Sequence, residues 1–431
     1  MEELSSPQQR RLALMFLISS LSGSFISVFL PAYYVVIGSG NLNWALQFLA
    51  VQFAVLTIIP SVLLRGLHAR FEALLLASFP CYILYYVLLL VRASPVLTGA
   101  VAGVALSLFW PAFQTVTIRV AHKDRIASTF TVFWLLVTST ASVIGPVAGG
   151  LVISFGGGFV AALSVSAGLY LVAFLPMWRF RFEAVTFTGR PTELQGPPRL
   201  NHFLVAVLAW GMTDVGWLAY PLFALSIAGS FVNLGIVISA IGVITAAAGI
   251  WIGRVSDRLG NRFGVWLIGI VAATLALFAL GFVRTIPELL AVSVVSGTAG
   301  AATGPVLVGW FAENYTEESA APFWTRFELF LNPGRLVNLG LAALFLPVGN
   351  YAGYFMTSGA LGLLTIPPLC AFKLKSATQQ RARDSSHVVV DDAHVKLSHT
   401  PTSKKTSDPL TSTVPLPGYS SPPGGTPPLT V

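Results

Sequence analysis

The chain has 431 residues, 55% of them hydrophobic and only 10% charged, with a mean hydropathy of +0.77. Soluble domains carry about 25% charged residues, so an ordinary soluble protein is excluded and a polytopic membrane protein is implied. The formal net charge of +8 raises nucleic-acid binding, but the basic residues follow membrane topology, as set out below, and no nucleic-acid partner is expected.

The N-terminal "MEELSSPQQRR" leads straight into a long apolar run with no small-residue cleavage pattern. That run reads as a retained first span rather than a signal peptide. A spanning helix needs about 20 mostly apolar residues, and about twelve segments qualify. In the first half they are Leu12–Ile37, Trp44–Leu64, Glu72–Val91, Val96–Ile118, Ile126–Ile153 and Phe159–Trp178. In the second half they are Phe203–Ile227, Val232–Ile252, Phe263–Phe282, Glu288–Phe311, Phe323–Leu346 and Tyr351–Ala371.

Lys and Arg orient these spans. With the N-terminus inside, the predicted outer loops hold only Arg92 and Arg284, and the other loop cations fall on the cytoplasmic side. That asymmetry obeys the positive-inside rule and places both termini in the cytoplasm of a multi-pass cell-membrane protein. The one acidic cytoplasmic loop is "ENYTEES" (313–319).

An internal repeat organises the spans. "VRASPVL" (91–97) matches "VRTIPEL" (283–289), Pro31 matches Pro221, and Pro111 matches Pro305, all at nearly the same separation. Six spans repeated once predict an all-α membrane protein of two pseudo-symmetric six-helix bundles. The predicted division is a bundle over 1–178, a cytoplasmic linker over 179–202, a second bundle over 203–375 and a tail over 376–431. The tail is rich in Ser, Thr, Pro and charge and reads as disordered.

Between predicted spans eight and nine lies "GRVSDRLGNRFG" (253–264). This loop resembles the signature of the major facilitator superfamily, roughly G-x-L-x-D-R-x-G-R-R. Gly253, Asp257, Arg258, Gly260 and Arg262 match it, with Val255 and Asn261 as departures. Glycines permit a tight reversal, and an Asp suits a helix N-terminus. The resemblance implies that Asp257 latches onto the start of span five, near Ile126, beside Lys123 and Arg125. The loop after span two, "RGLHARFE" (65–72), lacks the corresponding acid. A second stretch, "ASVIGPVAGG" (141–150), is similar to the superfamily's G-x-x-x-G-P-x-x-G-G pattern, with Ala141 for the first Gly. Gly145, Pro146, Gly149 and Gly150 would kink this helix and let neighbours approach closely; plain helix packing is the alternative reading.

Charges inside spans are costly and mark function. Span seven holds Asp214 in "WGMTDVGW". In span eleven, Glu328, Asn332 and Arg335 follow an i, i+4, i+7 spacing and share one helix face, which Asn338 extends; Arg326 points away. Asp214 lies about 11 residues into its span and Arg335 about 12, so both sit roughly 17 Å deep. These groups are candidate solute and proton sites, with an internal ion-pair network that packs the second bundle as the alternative. Span one offers Ser20, Ser24 and Ser27 on one face, then Tyr34; span four offers Trp110 and Gln114. Of these, Ser24, Trp110 and Gln114 are candidate cavity groups by resemblance, with helix packing as the alternative.

The six histidines, 68, 122, 202, 387, 394 and 399, fall in loops, linker or tail, and no Walker A loop is present. Cys81 and Cys370 sit in apolar segments. No metal site, cofactor or enzymatic activity is expected. The resemblance implies a secondary transporter that moves a small solute through the bilayer by alternating access, with protons as the candidate coupling ion and a monomer as the working unit. A transporter-like sensor is the alternative, followed by a membrane-embedded enzyme.

Overall fold

The computed structural model describes residues 7–66, 71–120, 138–177, 200–259, 262–314 and 320–371, all within one compact unit over residues 1–376. Every regular element among them is helical. The helices are α1 (Pro7–Ile26), α2 (Leu30–Ile37), α3 (Asn43–Gly66), α4 (Phe71–Leu90), α5 (Pro95–Val120), α6 (Thr138–Phe155) and α7 (Gly158–Phe174) in the first half. The second half has α8 (Leu200–Gly211), α9 (Ala219–Ala228), α10 (Phe231–Leu259), α11 (Arg262–Leu280), α12 (Ile286–Asn314), α13 (Ala320–Phe345) and α14 (Tyr351–Gly362).

Among the described residues, ten stretches are long and apolar enough to cross a membrane, and the described parts of the fifth and tenth predicted spans are the shorter apolar segments Thr140–Phe155 and Ile286–Gly300. Large apolar side chains such as Ile268, Leu275 and Leu344 point outward, as lipid-facing positions do. Inside the first half, Phe16 stacks on Phe113 at 4.1 Å and Phe109 on Phe113 at 5.5 Å.

The repeat has a local structural expression. The first span of each half is broken by a single 3₁₀ turn, Ser27–Phe29 in one and Val215–Trp217 in the other. Each turn lies just ahead of a proline, Pro31 or Pro221, which offers no N–H and whose ring crowds the carbonyl four residues back. Helix pairing across the halves follows the same symmetry. The fifth span of the first half, α6, packs on the second span of the second half, α10, while α3 packs on α13. Exchanging the halves exchanges these two contacts, as a pseudo-two-fold axis along the membrane normal requires.

Two boundaries differ from the sequence reading. The first helix already includes Pro7, ahead of Leu12; proline is tolerated in the first turn of a helix. The helix of span eight does not stop at Ile252. It runs through Gly253, Asp257 and Arg258 to Leu259, and α11 starts at Arg262. Most of the signature read as a loop is therefore helix. Polar residues are compatible with helix in water, and each added residue closes another backbone hydrogen bond. Gly260 and the predicted latch partners Lys123, Arg125 and Ile126 lie outside the described residues, as does the tail from 372 onward.

Candidate functional site

Span seven was read as one continuous helix, but its backbone leaves the helical path after Gly211 and resumes only at Ala219. Gly211 sits against the Leu331 carbonyl of α13, and Gly334 against the Leu208 carbonyl of α8. A methyl group at either position would strike backbone, so the two glycines set how closely α8 and α13 approach. That approach brings the unwound segment alongside α13. The Asn338 side chain donates to the freed Met212 carbonyl at 2.6 Å and accepts from the Tyr354 hydroxyl at 2.6 Å. A backbone break at this depth needs such partners, because lipid supplies none.

Asp214 opens the 3₁₀ turn. Its Oδ2 accepts from Trp217 Nε1 at 3.0 Å and from Arg335 Nε at 2.8 Å. Arg335 Nη1 donates to Asn332 Oδ1 at 2.9 Å, and Asn332 Nδ2 donates to Glu328 Oε2 at 2.9 Å. The same amide reaches the Leu56 carbonyl of α3 at 3.5 Å, across the two halves. The guanidinium lies 5.4 Å from the Trp217 ring and 5.6 Å from the Phe53 ring, within cation–π range. Four polar side chains thus run Asp214–Arg335–Asn332–Glu328 in a continuous chain. Asn332 is fully buried and Glu328 nearly so; the Arg335 and Asp214 side chains retain 16% and 28% exposure.

That residual exposure opens onto space inside the protein. A cavity of about 660 Å³ is bordered mainly by the second half, by Asp214, Arg335, Trp210, Tyr220, Ser293 and Thr245, and by Ser142 of the first. A second, of about 390 Å³, lies between the halves and is bordered by Ser27, Tyr34 and Phe48 of the first half and Asp214, Trp217 and Tyr220 of the second. Asp214 and Tyr220 border both; Glu328 borders neither.

The other sequence candidates lie elsewhere. Ser24 donates to the Ala141 carbonyl at 2.8 Å in the contact between α1 and α6. Trp110 packs edge-on against Phe16 and Phe109. Gln114 is buried and its Oε1 has no hydrogen-bond partner among the described residues. None of the three borders either cavity. Gly145 faces Ser24, Gly149 faces the Phe25 carbonyl and Gly150 faces the Phe231 carbonyl, while Gly235 faces the Pro146 carbonyl. The glycines of α6 therefore fit it closely between α1 and α10. Of the signature residues, Arg258 is exposed on the last turn of α10.

Sequence reasoning missed Trp217, Tyr220 and Phe53 as site residues. Trp217 had a signal, its spacing of three from Asp214. Phe53 had none, since it is one apolar residue among many on α3. Among the described residues no cluster of His, Cys, Asp and Glu could hold a metal, and Cys81 and Cys370 are free.

Residues 202–411 match the model of the Major Facilitator Superfamily. This match places the second half of the chain in the major facilitator superfamily. Solved transporters share this superfamily fold along nearly their whole lengths. A peptide-bound POT family transporter aligns with a TM-score of 0.66 at 13% identity, covering 86% of this chain and 96% of the other. The human organic anion transporter MFSD10 (TETRAN) aligns with a TM-score of 0.62 at 13% identity, covering 84% and 99%. The E. coli fucose:proton symporter FucP aligns with a TM-score of 0.61 at 11% identity, covering 84% and 97%. No curated protein matches the sequence.

Proposed function

We propose that this superfamily protein is a secondary transporter that moves a small solute across a membrane by alternating access, and that the chain from Asp214 to Glu328 is its binding and coupling site. The observation that carries the reading is a charged network among apolar, membrane-length helices, bordering two cavities at a broken helix. Charges in such helices are costly, and superfamily-type transporters bind near the midplane at discontinuous helices. The structural neighbours carry organic anions, peptides and fucose by their descriptions, so the fold alone leaves the solute open. Asp214 is the group a solute meets first, because it borders both cavities. Glu328, behind Asn332, is the candidate proton carrier. In this reading the bundles 1–178 and 203–375 rock about the site, the linker 179–202 joins them, and the termini are cytoplasmic.

Uptake of labelled solutes into proteoliposomes, with and without an imposed pH gradient, tests the function. Concentrative uptake that follows the gradient is expected. Saturable binding with no uptake of any bound solute would make the protein a sensor instead.

A further inference from the structure

The smaller cavity has a chemistry of its own. Among the described residues Asp214 is the one carboxylate on its wall, which holds no Lys, Arg or His; Arg335 borders the larger cavity and not this one. Asp214 Oδ2 already accepts from Trp217 and Arg335, while Oδ1 accepts no hydrogen bond among the described residues. The remaining wall is aromatic and apolar. Tyr34 stacks on Phe48 at 4.7 Å, and Trp217 and Tyr220 also line it. A carboxylate that borders a cavity together with aromatic rings attracts a cation.

Arg335 pairs with Asp214 from outside this cavity, on the Oδ2 side. Its Nε and Nη1 are engaged by Asp214 and Asn332, and its Cζ lies 5.6 Å and 5.4 Å from the Phe53 and Trp217 ring centroids. The network of Asp214, Glu328 and Arg335 holds two acids and one base, so it carries one uncompensated negative charge when both acids are ionised. An anion entering the smaller cavity would meet the Asp214 carboxylate with only hydroxyl donors to offset it. A volume of about 390 Å³ lies within the range of small-molecule sites.

We propose that the cavity between the halves binds the positively charged head of an organic amine, with Asp214 Oδ1 as its counter-charge and Tyr34, Phe48, Trp217 and Tyr220 as its aromatic walls. The solute class is therefore organic cations rather than organic anions or neutral sugars. The proposal rests on the transporter reading only for the consequence that the bound cation is carried.

The experiment measures binding separately from transport. Purified full-length protein is titrated with tritiated benzyltrimethylammonium, and with benzenesulfonate as an anion of similar size. Saturable binding of the cation with no displacement by the anion is expected. Asp214→Asn keeps the shape of the side chain and removes its charge, so binding should fall by at least about tenfold. Tyr34→Leu, which leaves the ion network intact, should weaken it several-fold. Each variant's melting temperature is measured, and the wild-type preference for cation over anion needs no variant. Absence of saturable cation binding, tighter binding of the anion, or unchanged binding in folded Asp214→Asn protein overturns the proposal. Cation binding without uptake in proteoliposomes would leave the site standing and remove the transport reading; uptake of other solutes by protein that does not bind the cation would do the reverse.

Discussion

Arg335 Nε lies 2.8 Å from Asp214 Oδ2, although the two residues are 121 positions apart in the chain. The pair ties the broken part of span seven to the middle of α13. Each partner depends on the other, because a charge left alone at this depth is unfavourable whichever one remains. Arg335→Ala or Asp214→Ala alone is expected to lower stability by about 1–3 kcal/mol, less than for a fully buried pair because both side chains are partly exposed. The double variant Asp214→Ala with Arg335→Ala should recover part of that loss. Thermal melts of the four proteins in one detergent form the cycle that checks it; additive losses would mean the pair is not coupled.

Glu328 presents a different expectation. Its Oε2 accepts from Asn332, and a glutamine at 328 keeps an acceptor for that amide. Glu328→Gln should therefore change stability by no more than about 1 kcal/mol. If Glu328 carries the coupling proton, the variant should lose uptake driven by a pH gradient while retaining solute exchange under equal concentrations. Driven uptake at the wild-type rate in a normally stable variant would remove Glu328 from the mechanism. A loss of stability in step with uptake would favour a packing role.

The close approach of α8 and α13 is a further point of attack. Gly334→Ala would place a methyl group against the Leu208 carbonyl, and backbone cannot yield as a flexible side chain does. Overpacking of this kind costs about 1–3 kcal/mol. It should also separate Asp214 from Arg335, so cation binding and uptake should fall together. Gly340 meets nothing within 4 Å, and Gly340→Ala on the same helix should leave both unchanged; equal effects at the two positions would show a general helix response.

The sequence made the charged stripe of α13 legible, because polar residues at helical spacing stand out in an apolar span. It also made the depth match between Asp214 and Arg335 legible, since counting residues from the same membrane face is enough. The break after Gly211 was not legible. Hydropathy is continuous from Phe203 to Ile227, and only the packing of Gly211 against α13 and of Asn338 against the Met212 carbonyl shows what compensates the lost helix bonds. Ser24, Trp110 and Gln114 were candidates because they are polar or amphipathic within a span. Periodicity says which residues share a face, but not whether that face meets a cavity or a neighbouring helix. For Ser24 the neighbour is α6, whose Ala141 carbonyl takes its hydroxyl.

The seam between α6 and α10 gives the last prediction. Three contacts run in antiparallel register along it: Gly150 on the Phe231 carbonyl, Gly235 on the Pro146 carbonyl, and Gly242 beside Ser142. A Cβ at 242 would lie 3.4 Å from the Ser142 Cβ, close to the separation a disulfide needs. Cysteines at 142 and 242, with Cys81 and Cys370 replaced by serine, should therefore cross-link readily under mild oxidant. If the halves separate along this seam during transport, the cross-link should arrest uptake and reduction should restore it. Adding Gly235→Ala puts a methyl group into the Pro146 carbonyl and should lower the cross-linking yield several-fold by disfavouring the closed seam. The measurements are gel mobility with and without reductant and uptake on the same preparations. Full uptake by a fully cross-linked protein would mean that α6 and α10 stay together throughout the cycle, and any opening would have to occur between α3 and α13.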